Sequence, residues 1–297
     1  MYCGTAELID RAWRSRTAIP AFNIPYLPMM ESVVRALRDT GSVGLIMVAR
    51  LEWRKFESGS LEEVRDEYER CGDAGHTRLH LDHVPVVDED GERVDYLEII
   101  QRAVDAGYGS VMVDGSRLPL EENIACTKEA VRIAHAAGLP IEAELGAVLG
   151  HEEGSLPPYE ELFRTGSGFT DPEEAARFVR ETGADWLSVA VGNIHGAVSA
   201  AARNGGKPRA RIDLGHLSKI TGAIGRPAVL HGGTGIPKRY VLEAVRRGIA
   251  KINLATVIRR PYEKLRGESL NAAREAVYRT VCEVVRDDLN MEGTGGV

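Results

Sequence analysis

Three histidines, His83, His195 and His231, each stand at or just past the end of a short apolar run, at 77–81, 186–191 and 227–230. Each is followed within a few residues by glycine or proline. If the runs are strands of one parallel barrel, their C-terminal ends converge. Three neutral imidazoles meeting there make a zinc site with an open fourth position, which is what a catalytic zinc requires. Asp82 precedes the first histidine, and a carboxylate beside a metal ligand is placed to act as general acid or base. Strand alternation puts Asp82 and His83 on opposite faces, so both reach one site only where the pleat breaks up at the strand end. His80, two residues earlier, is expected to be a hydrogen-bonded residue of the barrel wall.

Other polar residues gather at the ends of similar runs. Glu142-Ala143-Glu144 ends a fifth run, and Asp114, before Gly115-Ser116, ends a fourth. Asp114 is placed to donate charge to a metal or to orient a ligand. His231-Gly232-Gly233-Thr234-Gly235 leads from a strand into a helix beginning at Pro237. Successive backbone N–H groups and a helix N-terminus form the usual phosphate corner of such a barrel. The long stretch 147–169, rich in glycine and proline, carries Glu152 and Glu153 and reads as a flap. The stretch 197–211, with Arg203, Lys207, Arg209 and Arg211, reads as a binding loop. His76, His135, His151 and His216 fall in helical or loop contexts and read as surface or capping residues.

The elements that must hold these groups alternate regularly. Strand-like runs lie at 18–24, 43–49, 77–83, 110–114, 140–145, 186–192, 227–231 and 249–254. Helical spacing fills 28–40, 61–72, 93–106, 120–137, 171–182, 213–223 and 237–247. Gly107, Gly138, Gly183 and Gly248 stand where four helices should stop, and Asp171-Pro172 and Ile236-Pro237 open two others. Alternation of this kind predicts an α/β protein, a (β/α)8 TIM barrel occupying residues 1–297 as one domain, with a C-terminal helical extension at about 262–290. The tail 271–289 reads as an amphipathic helix available for oligomer contacts. A doubly wound open sheet also alternates strand and helix.

The bulk properties exclude several classes. A chain of 297 residues, 43% hydrophobic, is long enough for one barrel-sized core. A net charge of −7 argues against nucleic acid or an anionic membrane as partner. No apolar run reaches the roughly 18 residues of a membrane span, and no signal-peptide core opens the chain. Four scattered cysteines without a C-x-x-C pair fit reduced thiols in a cytoplasmic protein.

Several motifs in a fixed order carry a family likeness. They are Ala21-Phe22-Asn23, His80-Leu81-Asp82-His83, the stretches 110–116 and 118–123, Glu142-Ala143-Glu144-Leu145-Gly146, 169–175, His195-Gly196, 231–236 and 249–253. With them the chain resembles the class II, zinc-dependent fructose-bisphosphate and tagatose-bisphosphate aldolases over almost its whole length. The resemblance implies a (β/α)8 barrel and a lyase that cleaves a ketose (bis)phosphate reversibly between C3 and C4, giving dihydroxyacetone phosphate and an aldehyde. It implies Zn2+ on His83, His195 and His231, with Glu144 and Asp114 near an alternative metal position. Asp82 takes the family's acid/base role, and Glu152 moves a proton at the enediolate carbon. Gly196, Gly232, Gly233 and Thr234 line the phosphate corner, where a monovalent cation, Na+ or K+, is also implied. Asn23 and Asn253 are implied as substrate-contacting amides, and homodimers or homotetramers as the assembly.

The chain departs from the family at three places. Ala197-Val198-Ser199 replaces a lysine-bearing stretch after His195-Gly196. The eighth strand ends Asn253-Leu254-Ala255-Thr256-Val257, leaving Thr256 as its hydroxyl, and Ala49-Arg50 replaces a serine at the second. Polar contacts near the keto-end phosphate are therefore missing, and Arg50 and Arg259 are among the cations available to replace them. A ketose lacking the 1-phosphate, giving dihydroxyacetone, with another anion at its far end, is accordingly a second expectation. A non-catalytic sugar-binding barrel is a third. A zinc hydrolase on the same barrel usually carries an H-x-H pair on its first strand, where this chain has Phe22-Asn23-Ile24.

Overall fold

In the computed structural model the structure describes residues 3–146, 159–194 and 210–296. Eight strands pair in chain order, all parallel, and the last returns to the first: β1 (Ile19–Asn23), β2 (Gly44–Ala49), β3 (Thr77–Pro85), β4 (Ser110–Asp114), β5 (Ile141–Leu145), β6 (Trp186–Val189), β7 (Ala228–Leu230) and β8 (Ile249–Leu254). The sheet is a closed barrel, which excludes the open doubly wound alternative. Each strand matches its expected run to within a few residues at either end.

The expected helices are present: α2 (Met30–Asp39), α4 (Leu61–Cys71), α5 (Tyr96–Asp105), α6 (Leu120–Ala136), α8 (Pro172–Thr182), α9 (Leu214–Ile224) and α10 (Lys238–Arg246). Their ends follow from local chemistry. Asp171 accepts hydrogen bonds from the backbone of Glu173 and Glu174, Pro172 opens α8, and Gly183 caps it at φ +76°. Four helices escaped the sequence reading: α1 (Thr5–Ser15), α3 (Arg50–Lys55), α7 (Tyr159–Thr165), which lies within the stretch expected to be flap, and α11 (Thr256–Leu265), which starts before the expected extension. The helix expected over 271–289 is α12 (Leu270–Glu283), which runs into a π-helical turn at Val284–Asp288. Ser269 caps its start by accepting from the Ala272 N–H, which separates it from α11. α12 packs against α2 and α11 within this chain.

Strand alternation sorts side chains into two apolar groups. Outward residues such as Phe22, Ile46, Leu81, Val111, Ala143 and Leu187 pack under the helices. Ile19, Ala21, Leu45, Met47, Trp186 and Val229 form a separate cluster with Leu8, Ile9 and Ala12 of α1, which therefore plugs one end of the barrel interior. Above this plug the inward positions turn polar: His80, Asp82, Glu142, Glu144, Lys251 and Asn253 are all buried.

Candidate functional site

The site begins with an irregularity in β3. Its pairing with β4 slips between Leu81 and Val84, and His83 takes φ +32°. One extra residue on β3 is a bulge, and bulges re-aim side chains. Regular alternation would have sent Asp82 and His83 to opposite faces; the bulge lets both face the interior.

Asp82 is clamped. Asn23 donates to Oδ2 at 2.9 Å and Asn253 donates to Oδ1 at 3.0 Å. Lys251 Nζ lies 3.8 Å from Oδ1. Burial opposes ionisation, but the charges of His83 and Lys251 outweigh it and hold the carboxyl well below its usual range. The two asparagines, expected to touch substrate, each direct a side-chain N–H at Asp82.

His83 and His231 face each other with ring centroids 4.4 Å apart. Glu144 Oε2 sits between them, 3.8 Å from His83 Nδ1 and 3.1 Å from His231 Nδ1. Asp114 Oδ2 is 3.2 Å from His83 Nδ1, and its Oδ1 accepts the Ser116 hydroxyl at 2.6 Å. Burial works against protonation of His83, yet Asp82, Asp114 and Glu144 together push it up to about 10. His231 is also raised, the bonds to Glu142 and Glu144 overcoming burial and the charge of His83. Beneath it, Glu142 Oε1 lies 2.7 Å from His231 Nε2, while Lys251 donates to Glu142 Oε2 at 2.7 Å.

This donor set fits a divalent cation. One ligand atom each from Asp82, His83 and His231 lies within 4.8 Å of the others, and the same holds for His83, Asp114 and Glu144. Four carboxylates face two imidazoles and one lysine, an excess of negative charge that protons on imidazole reduce and a bound cation would offset.

The glycine corner adjoins it. Gly233 N donates to Asn253 O at 3.3 Å, and a Cβ on Gly233 would stand 2.7 Å from Ile252 Cγ2 and 3.2 Å from Asn253 O. Glycine is required there by the close approach of β8. A cavity of about 560 Å3 opens beside this turn, lined by Gly233, Thr234, Lys238, Leu254 and Val257 among others.

The structure therefore brings together Asn23, Asp82, His83, Asp114, Glu144, His231 and Asn253, with Gly232, Gly233 and Thr234 continuing directly from His231. Arg50 and Arg259 are engaged in ion pairs, with Asp88 at 3.1 Å and Glu263 at 2.8 Å. Thr256 opens α11. Glu152, His195 and Gly196 lie outside the described residues, as do His151, Arg203, Lys207 and Arg209. His80 is the wall residue expected: fully buried, its Nδ1 2.8 Å from Ser110 Oγ, and held neutral, down at about 3, by burial and the charge of Lys251. His76, His135 and His216 bond to Ser42 O, Asp185 and Thr170 O, away from the cluster. Two buried ionisable residues, Lys251 and Glu52, were missed, and Glu142, named only within the run Glu142-Ala143-Glu144, was given no role of its own. Glu142 and Lys251 sit two positions below Glu144 and Asn253 on their strands, so period-2 reading could have placed both in the interior. Glu52 lies on the unexpected α3 and accepts from Ala49 N and Asn23 Nδ2; no pattern in the sequence signals its burial.

The four cysteines are free thiols, and among the described residues no helix is long and apolar enough to cross a membrane. The chain matches the family described as Fructose-bisphosphate aldolase class-II over residues 4–291. It is 35% identical to a fructose-bisphosphate aldolase of Streptococcus pyogenes over 84% of this chain and 77% of that one. It is 32% identical to that of Geobacillus stearothermophilus over 84% and 79%. The crystal structure of the YdjI aldolase from Escherichia coli K12 superposes with a TM-score of 0.76 at 26% identity, covering 99% of this chain and 100% of that one. A family match spanning nearly the whole barrel, together with relatives above 30% identity, means that the chain belongs to the class II fructose-bisphosphate aldolases, a family of metal-dependent lyases.

Proposed function

We propose that the chain cleaves a ketose (bis)phosphate reversibly between C3 and C4, releasing dihydroxyacetone phosphate and an aldehyde. The observation that carries this reading is the buried Asp82 carboxylate, held by two amides beside the facing imidazoles of His83 and His231. Asp82 takes the proton of the C4 hydroxyl during cleavage and returns it during condensation. Kept ionised by its neighbours, it is ready to accept that proton at neutral pH. Glu152 is assigned the proton exchange at the enediolate carbon, the former C3 of the ketose. His83, His195 and His231 would hold the divalent ion, zinc in our reading, with Asp114 and Glu144 beside an alternative position. When bound, that ion supplies electrophilic charge at the ketone oxygen. Asn23 and Asn253 orient Asp82, while Gly196, Gly232, Gly233 and Thr234 take the phosphate and a monovalent cation. Thr256, Arg50 and Arg259 complete the substrate contacts in this assignment. No lysine forms a Schiff base, so borohydride with substrate should leave the protein unmodified. We further assign the whole chain to one barrel domain, to the cytoplasm and to a homodimer or homotetramer.

Metal analysis paired with a panel of ketoses, assayed for triose release, tests the reading. One equivalent of divalent metal and chelator-sensitive cleavage are expected. Full activity after exhaustive chelation and in His83→Ala would overturn it. The ion pairs of Arg50 and Arg259, and the apolar Val257 beside the glycine turn, favour a second substrate version without the 1-phosphate. Faster turnover of 1-dephospho ketoses than of fructose 1,6-bisphosphate would select it.

A further inference from the structure

Directly beneath the acid–imidazole cluster lies an ion pair whose lysine also stands 3.8 Å from Asp82, and whose glutamate has no role in the proposed chemistry. Glu142 and Lys251 are both fully buried, and Lys251 Nζ donates to Glu142 Oε2 at 2.7 Å. The pair sits on the boundary of the apolar plug: Glu142 is in register with Trp186 on β6, and Lys251 with Ile19 on β1. One layer higher, Glu144 and Asn253 hold the corresponding positions of the same two strands. Burying an ion pair costs so much desolvation that an apolar pair of the same volume is often as stable or more so. Stability alone therefore gives no reason for it.

Its second contact does. Glu142 Oε1 lies 2.7 Å from His231 Nε2, and Glu144 Oε2 is 3.1 Å from the other ring nitrogen, Nδ1. The His231 ring is thus addressed from both sides, from below by an anion with its own countercharge and from above by the cluster that fits a cation. Two further groups border the pair: His80, whose Nε2 is 3.8 Å from Glu142 Oε2, and Asp82, whose Oδ1 is 3.8 Å from Lys251 Nζ. A carboxylate whose charge is anchored by a lysine remains an acceptor, so the ring nitrogen facing it must carry hydrogen. A histidine whose second nitrogen donates to a carboxylate has its tautomer and ring orientation fixed, and loss of such a partner typically weakens metal binding about 10–100-fold.

We propose that Glu142, anchored by Lys251, is the positioning residue that holds His231 with hydrogen on Nε2 and with Nδ1 as its metal-ligating atom. The proposal rests on His231 being a ligand, as in the function proposed above. Its prediction is that metal affinity depends on two residues that touch neither metal nor substrate.

The test measures zinc affinity by competition with a chromophoric chelator, on the wild-type chain, on Glu142→Gln and on the neutral pair Glu142→Gln/Lys251→Met. The double variant keeps the buried volume and removes both charges of the pair, and Asp82 keeps its bonds from Asn23 and Asn253, so it separates positioning from mere filling of the barrel. Affinity about 10–100-fold below wild type is expected in both variants, with the unfolding temperature of the metal-free double variant close to that of wild type. Zinc affinity in the double variant within about twofold of wild type would overturn the proposal. A wild-type chain that binds no divalent ion would instead overturn the metal reading on which it stands. A measurement that needs no variant is the histidine 15N spectrum of the zinc-loaded wild-type protein. Hydrogen on Nε2 of His231 supports the proposal; hydrogen on Nδ1, with Nε2 as the ligating atom, rejects it.

Discussion

The interior of this barrel has two layers built on the same strands. Near the strands' N-terminal ends, Ile19, Ala21, Leu45, Met47, Trp186 and Val229 close on Leu8, Ile9 and Ala12 of α1. Toward the C-terminal ends, the corresponding inward positions hold His80, Asp82, Glu142, Glu144, Lys251 and Asn253. The lower layer stabilises the fold by the burial of apolar side chains, each contributing about 1.5–3 kcal/mol when a leucine or isoleucine is fully covered. The upper layer has no such return. Each of its charges must be matched by a neighbour, and the Lys251–Glu142–His231 and Asn23–Asp82–Asn253 chains are those matches. Stability and chemistry are thus divided along the barrel axis, and the division can be tested from either end.

The largest effect is expected at the top. Asp82→Asn keeps the shape of the side chain but removes its capacity to take a proton. General acid–base catalysis contributes about 10²–10⁴-fold, so turnover of the ketose per folded molecule should fall by that factor. The unfolding temperature should fall as well, because the new amide N–H faces a donating amide of Asn23 or Asn253. Turnover within tenfold of wild type would remove Asp82 from the chemistry. The converse substitution is Leu8→Ala in the plug. It should cost about 2–5 kcal/mol of stability, read from the urea midpoint, with kcat/KM per folded molecule unchanged. A large loss of kcat/KM there would mean that the two layers are not independent. Asn253→Ala lies between these extremes. Removing one charge-assisted donor from Asp82 should cost about 1.5–3 kcal/mol, seen as a roughly 10–100-fold loss in kcat with little change in folding. A change confined to KM would return Asn253 to a substrate-contacting role.

Much of this architecture was legible because it is periodic. Strand and helix alternation located all eight strands, and Asp82, His83, Asp114, Glu144 and His231 stood out by ending their runs. The juxtaposition of Asp82 and His83 was expected from a break in the pleat at the strand end, but the bulge that makes the break is not encoded in strand periodicity. The plug helix α1 was missed because its apolar face, Leu8, Ile9 and Ala12, is short and precedes the first strand. The partners of Arg50 and Arg259 escaped because an ion pair is decided by the path of loops, not by spacing along the chain. Glu52 was invisible for a related reason: its burial follows from the turn at the start of α3, which brings its carboxylate back to Ala49 and Asn23.

Glu52 also offers the finest test of the division, since it is an upper-layer acid whose hydrogen-bond donors, Ala49 N and Asn23 Nδ2, are both neutral. Burial, reinforced by the nearby charge of Asp82, outweighs the hydrogen bonds from Ala49 and Asn23 and pushes its carboxyl up from 4.5 to about 8. Below pH 4.5 the group is protonated in both folded and unfolded chains, and its contribution to stability is fully present. As pH rises further, the unfolded chain releases this proton while the folded chain keeps it. Stability is therefore lost progressively until pH passes about 8. Glu52→Gln has no proton to release, so it should escape that loss. Between about pH 6 and pH 8 the variant should gain on wild type by about 2 kcal/mol, measured by urea unfolding of the metal-free proteins. Parallel pH dependences for the two chains would show that Glu52 is ionised in the folded barrel, and that the upper layer balances its charge there as well.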